Sequence, residues 1–267
     1  MPTQHSCSTS RTAPQPRSRV ITAIASGKGG VGKTWLAITL CHALTKHGRT
    51  ALLFDGDLGM ANVDIQLGLM PDQDLGGVIA GGLDLRSAIT RLADSRTAAG
   101  GFDIIAGKSG SGALAQLGRS QIKALGSELR LLSGGYDHVI LDLGAGLDAG
   151  VQSLADSAAT TLVVVTDEPT SLTDAYAFIK VQAMRNPGAD LRIVVNMAPG
   201  RRDGERTYTT LRRACEGFLK FTPPLAGIIR RDDNVRDAIR RQTPMLARHP
   251  LSPAAEDVEK IAETLTS

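Results

Sequence analysis

The chain has 267 residues, 42% hydrophobic and 21% charged, an ordinary soluble balance with room for one large α/β domain or two small ones. A net charge of +3 does not by itself mark a nucleic-acid binder, and no apolar run approaches the roughly 18 residues of a membrane-spanning helix. Cys7, Cys41 and Cys215 form no CxxC pair, which excludes a disulfide framework or zinc site and suits a reducing cytosol.

The first nineteen residues are rich in Ser, Thr, Gln and Pro and carry Arg11, Arg17 and Arg19 without an acid. So little apolar surface predicts a disordered basic tail over 1–19, with 20–267 as a single domain. Strands are then expected at 20–25, 51–55, 102–106, 138–143, 161–166, 191–196 and 225–229. Amphipathic helical stretches fall at 35–46, 121–132, 172–184 and 205–219. This alternation predicts an α/β fold, a doubly wound, mainly parallel sheet with helices on both faces. Aromatics are only 3%, so its two-sided core must be built from Ala, Val, Ile and Leu. Right-handed crossovers place the strand ends, and any ligand, along one edge.

Between the first strand and first helix lies Gly27-Lys28-Gly29-Gly30-Val31-Gly32-Lys33-Thr34. This G-x-x-x-x-G-K-T run is a P-loop in its strand–loop–helix setting. Its glycines let backbone N–H groups turn around phosphates, and the helix N-terminus adds positive potential. Lys33 is expected on the β- and γ-phosphates of ATP or ADP, and the Thr34 hydroxyl on Mg²⁺. The second strand ends in Asp55-Gly56-Asp57, two carboxylates able to orient metal and water or merely to end a strand in a turn. The apolar run 136–142 ends in Asp142, as a Walker B strand does, and would hold Mg²⁺ through a water. Asn196 ends a later strand, where an amide can pair with adenine.

With Lys28 included, K-G-G-V-G-K-T resembles the deviant Walker A motif of the MinD/ParA ATPases. That resemblance implies a catalytic role for Lys28, crossing a dimer interface to the partner's nucleotide. ATP binding and an ATP-dependent homodimer are then one linked equilibrium. It also implies that Asp57 positions the attacking water, that Asp55 lies nearer the Mg²⁺ shell, and that Asn196 meets the base. Three segments are similar to the FlhG/FleN branch, which regulates flagellar number: D-L-G-M-A-N-V-D-I-Q-L-G-L at 57–69, V-V-T-D-E-P-T-S-L-T-D-A-Y-A-F-I-K at 164–180, and D-N-V-R-D-A-I-R-R-Q at 233–242. The branch implies slow ATP hydrolysis and a flagellar partner: a transcription activator, the GTPase FlhF, or a C-ring or other basal-body component. The tail lacks the D-Q-A-x-x-L-R segment through which some members stimulate FlhF.

The chain departs from the family pattern at three places. Trp35 follows Thr34, Leu143 follows Asp142 where a hydroxyl is common, and Arg230 stands where Pro borders adenine. The Arg230 guanidinium is expected to stack on the base. Localisation is expected to be cytoplasmic, with recruitment to the cell pole or inner membrane left open. Near the C-terminus, Val258, Ile261, Ala262 and Leu265 make a narrow apolar stripe. Four acids surround it, favouring a helix packed on the protein body over a membrane anchor. The arginine-rich last third leaves a ParA-like partition or cargo-positioning ATPase with non-specific DNA binding as the alternative. No cysteine follows a switch motif, which argues against an iron-protein relative.

Overall fold

The computed structural model describes residues 20–57, 59–107 and 117–266. The tail expected at 1–19 and Leu58 lie outside the described residues. In chain order the elements are β1 (Val20–Ser26), α1 (Lys33–Lys46), β2 (Ala51–Gly56), α2 (Val63–Leu67), α3 (Leu75–Ile79), β3 (Ile89–Ala93) and β4 (Gly101–Ile105). They continue with α4 (Arg119–Leu132), β5 (His138–Ala145), α5 (Ala149–Ala155), β6 (Thr160–Val165), α6 (Pro169–Arg185) and β7 (Asp190–Ala198). The last are α7 (Arg201–Leu219), β8 (Leu225–Arg230), α8 (Asp233–Arg240), α9 (Met245–Arg248) and α10 (Pro253–Thr266).

The strands form one sheet in the order β3-β4-β2-β5-β1-β6-β7-β8. All neighbours are parallel except β3 and β4. Strand alternation divides the core into two layers. Ile21, Ala23 and Ala25 of β1 face a layer completed by α4, α5, α6 and α7, whereas Ile24 faces α1, α8, α9 and α10. The doubly wound fold is therefore as the alternating pattern predicts. β3 escapes that pattern because it is an edge strand. Its residues are half-buried or exposed, so they carry no two-sided apolar signal.

Local chemistry sets the helix starts. Pro169 occupies the first turn of α6, where its missing N–H costs nothing. The Asp232 carboxylate caps α8 by accepting from Asn234 N at 2.9 Å. In α10 the expected apolar stripe is used internally: Val258, Ile261 and Ala262 are buried against the layer that includes α1. Burying a Val or Ile side chain is worth roughly 1.5–3 kcal/mol, so peeling α10 away toward a lipid surface would forfeit several such contributions. Among the described residues no helix is long and apolar enough to cross a membrane.

Candidate nucleotide site

The sheet brings the carboxyl ends of β1, β2 and β5 together at its centre. Asp142 of β5 is in register with Ile24 of β1 on one side and with Asp55 of β2 on the other. In front of these ends is a cleft of about 790 Å³, lined among others by Gly30, Lys33, Thr34, Asp57 and Gly144. The loop joining β1 to α1 is held from several directions. Lys33 Nζ donates to Ser26 Oγ at 2.9 Å, and Ser26 Oγ donates to the Lys28 carbonyl at 2.6 Å. Asn196 Nδ2 donates to the Val31 carbonyl at 2.8 Å, while its Oδ1 accepts from Met197 N at 2.9 Å.

Two glycines of the loop are required by geometry. Gly32 has φ +92°, and a Cβ there would fall 2.4 Å from Asn196 Nδ2. Gly27 lies directly on α6, where a Cβ would meet the Asp174 carbonyl oxygen at 2.2 Å. Lys28 also meets α6: its Nζ donates to Glu168 Oε2 and, at 3.0 Å, to Thr170 Oγ1. The sequence located this lysine but not these two partners.

The acidic residues divide sharply. Asp55 is fully buried, and its Oδ1 accepts from Asp57 N at 3.2 Å. Its Oδ2 accepts from Asn62 N and Val63 N at 3.1 and 3.2 Å. It holds the backbone that follows β2, a role not read from the sequence. Asp57 Oδ1 accepts from Gly59 N and Met60 N at 3.2 and 2.9 Å, and lies against Gly144. Asp142 is hydrogen-bonded by the Thr34 side chain, yet its Oδ1 is buried without a partner among the described residues.

Burial pushes the Asp142 carboxyl up to about 8, with neighbouring Asp55 adding to the effect. Burial also raises Asp55 to about 6 against the pull of its three backbone N–H donors. Lys33 is lowered by burial, opposed by Asp142 and Asp57. The orphaned Asp142 oxygen, beside a hydroxyl and close to further carboxylates, is an all-oxygen donor set that fits a hard cation such as Mg²⁺.

The departures from the family pattern have structural explanations in two cases. Leu143 is fully buried and packs over Gly56. Arg230, expected on the base, is engaged within the protein: its Nε and Nη2 donate to the Asp257 carboxylate at 2.7 and 3.0 Å. Nη2 also reaches the Pro253 carbonyl at 3.1 Å, so the guanidinium ties β8 to α10. The physical reason is Asp257 itself, a buried carboxylate that takes the nearest fixed cations, Arg230 and Arg201. In the basic last third Arg206 and Arg212 are also paired to acids of their own helix, and Arg241 and Arg248 share Asp237.

A family model for the CobQ/CobB/MinD/ParA nucleotide binding domain matches residues 22–245. Antiactivator FleN of Pseudomonas aeruginosa is 34% identical, over 92% of this chain and 86% of that protein. This chain belongs to the MinD/ParA nucleotide-binding family, in its FleN/FlhG branch. A second relative, the flagellum site-determining protein YlxH of Helicobacter pylori, is 27% identical over 92% of this chain and 81% of its own length. Among solved structures, the septum site-determining protein MinD of Pyrococcus horikoshii, complexed with Mg-ADP, is 25% identical with a TM-score of 0.75. That likeness covers 92% of this chain and 95% of the MinD chain. The P-loop, Asp55, Asp57, Asp142 and Asn196 all lie within the segment that the family model matches.

Proposed function

We propose that this FleN/FlhG-branch protein is an ATP-dependent dimerising switch with slow ATP hydrolysis, controlling the number or placement of bacterial flagella. The observation that carries the nucleotide part is the meeting of Lys33, Thr34 and Asp57 at one cleft, with the half-unsatisfied Asp142 buried behind Thr34. The flagellar output is supported by the relatedness to FleN and YlxH.

In this reading the loop amides and Lys33 hold the phosphates of ATP. Thr34 and Asp142 are the donors that would hold Mg²⁺, which when bound neutralises charge on the phosphate oxygens. Asp57 orients the water that attacks the terminal phosphorus. Asp55 acts behind it, holding Asp57, Asn62 and Val63 through their backbone N–H groups. Asn196 braces the loop and stands beside the base. Lys28 exchanges Glu168 and Thr170 for a phosphate held by a second copy, so nucleotide binding and pairing are linked. The partner that reads the dimer is a flagellar regulator or basal-body protein.

The test is flagella per cell in a deletion strain complemented with wild type or Asp57→Ala, alongside light scattering of the purified proteins with ATP. Asp57→Ala is expected to remain dimeric in ATP and to fail in rescue. Normal ATP turnover by that variant would remove Asp57 from the mechanism. A normal flagellar count in the deletion strain would discard the flagellar output.

A further inference from the structure

Immediately after Thr34 the chain places its one tryptophan, Trp35, at the start of α1. Trp35 is 6% exposed, and its Nε1 is buried with no hydrogen-bond partner among the described residues. Gln66 of α2 presents the complementary defect, a buried Oε1 with no partner. Both side chains line the main cleft, and both also line an adjoining cavity of about 10 Å³. Two other polar side chains border that cavity, Thr39 and Thr243. Their hydroxyls are committed to the carbonyls of Trp35 and Arg241, at 2.7 and 2.9 Å. The rest of the lining is apolar, including Ile38, Leu67 and Met245.

Two residues that border the same space thus carry an unmet donor and an unmet acceptor, which are costly unless something satisfies both. The cavity's volume corresponds to about one oxygen-sized group. A hydroxyl meets these requirements with a single atom, accepting from an N–H and donating to a carbonyl. A phosphate oxygen offers no proton to Gln66. The edge of a base carries its donors and acceptors on separate atoms and needs more room. Trp35 is also the next residue after the phosphate-binding run and lines the same cleft as Lys33 and Thr34.

We propose that Trp35 and Gln66 form a ribose-hydroxyl subsite, which makes the protein selective for ribonucleotides over deoxyribonucleotides. This rests on the nucleotide reading above and extends it to the sugar. The Trp35 N–H donates to the hydroxyl oxygen, and the hydroxyl hydrogen goes to Gln66 Oε1. Because Gln66 belongs to the helix that follows Asp57, the sugar contact also ties that helix to α1.

The test is calorimetric titration of the full chain, with Mg²⁺, using ADP, 2′-deoxy-ADP and 3′-deoxy-ADP. One of the two deoxynucleotides is expected to bind about tenfold more weakly than ADP, identifying the hydroxyl that is read. Trp35→Phe and Gln66→Leu should each reduce that preference below about threefold while retaining phosphate-dependent binding. Gln66→Leu covers the case in which Trp35→Phe does not fold. Trp35 emission gives an independent readout in wild type, with a larger spectral change for ADP than for the weaker deoxynucleotide. Equal affinity for all three nucleotides in wild type overturns the subsite and leaves the nucleotide reading standing. So does undiminished discrimination in a folded Gln66→Leu variant. No heat and no fluorescence change with any of them would bring down both.

Discussion

Asp55 and Asp142 are partners in register on adjacent strands, both buried and both raised above the usual carboxylate range, yet their surroundings assign them opposite work. At the end of β2, Asp55 is surrounded by backbone N–H groups of the segment that follows it. At the end of β5, Asp142 receives Thr34 and retains a buried oxygen without a partner among the described residues. The first arrangement gives order to a loop; the second keeps bonding capacity for a ligand. Strand position and residue type are the same, so only the local chain path distinguishes an acid committed to backbone from the one proposed to bind.

The widest separation should come from matched amide substitutions. Asp142→Asn is expected to lower ATP turnover by about 100-fold or more with little loss of thermal stability, because asparagine keeps an oxygen for Thr34 and replaces a carboxyl that burial already pushes up to about 8. Asp55→Asn should do its main damage to folding. It removes acceptor capacity from buried N–H groups worth about 1–3 kcal/mol each, which lowers Tm by roughly 5–10 °C in a chain of this size. A calorimetric scan of both variants breaks the comparison if Asp142→Asn is the less stable one.

Arg230 extends the contrast to a cation. Since its guanidinium is bonded to Asp257, Arg230→Ala should cost about 2 kcal/mol, the remaining Arg201 limiting the damage to the buried carboxylate. ADP affinity should stay within about twofold of wild type by calorimetry, a change too small for loss of a good contact. A tenfold loss of affinity without a change in Tm would return Arg230 to the base.

The smallest effect should be at Asp94, which follows β3 and accepts from Arg96 and from His42 of α1. Its carboxyl is held down at about 2, first by the Arg96 side chain. A depressed carboxyl contributes stability that is present above its unfolded value, near pH 4, and lost as pH falls through its folded value. Urea titrations between about pH 4 and pH 2 should therefore show a steeper slope in wild type than in Asp94→Asn, other lowered carboxylates such as Asp237 supplying the rest. Arg96 is largely exposed, which keeps the contribution small.

Legibility in the sequence followed the range of the interactions. The P-loop was legible because its backbone path demands glycines in fixed order before a helix. The seven aliphatic strands were legible because two-sided burial leaves a run of Val, Ile and Leu. β3 was not, since an edge strand lacks that run. The role of Asp55 depends on how Asp57, Asn62 and Val63 bring their N–H groups to it, and the partner of Arg230 lies 27 positions along the chain. Neither contact leaves a local pattern. Asn196 was found as a strand-ending amide, but its bond to the Val31 carbonyl appears only when β7 stands beside the loop.

The absence of a side chain at Gly27 has a mechanical consequence. Backbone there lies so close to the backbone of Asp174 that no flexible group separates the phosphate loop from α6. A displacement of the loop at that point cannot be absorbed by a rotamer change. It must move α6 as a body or be resisted by everything packed on it, including Phe178 and Ile179 in the core. At 1.5 Å per residue a helix of 17 residues is a rod about 25 Å long. Its far end carries Met184, exposed on the surface and remote in sequence from the loop. The missing Cβ thus makes a stiff bearing, through which a small movement at the phosphates is felt at a distant face.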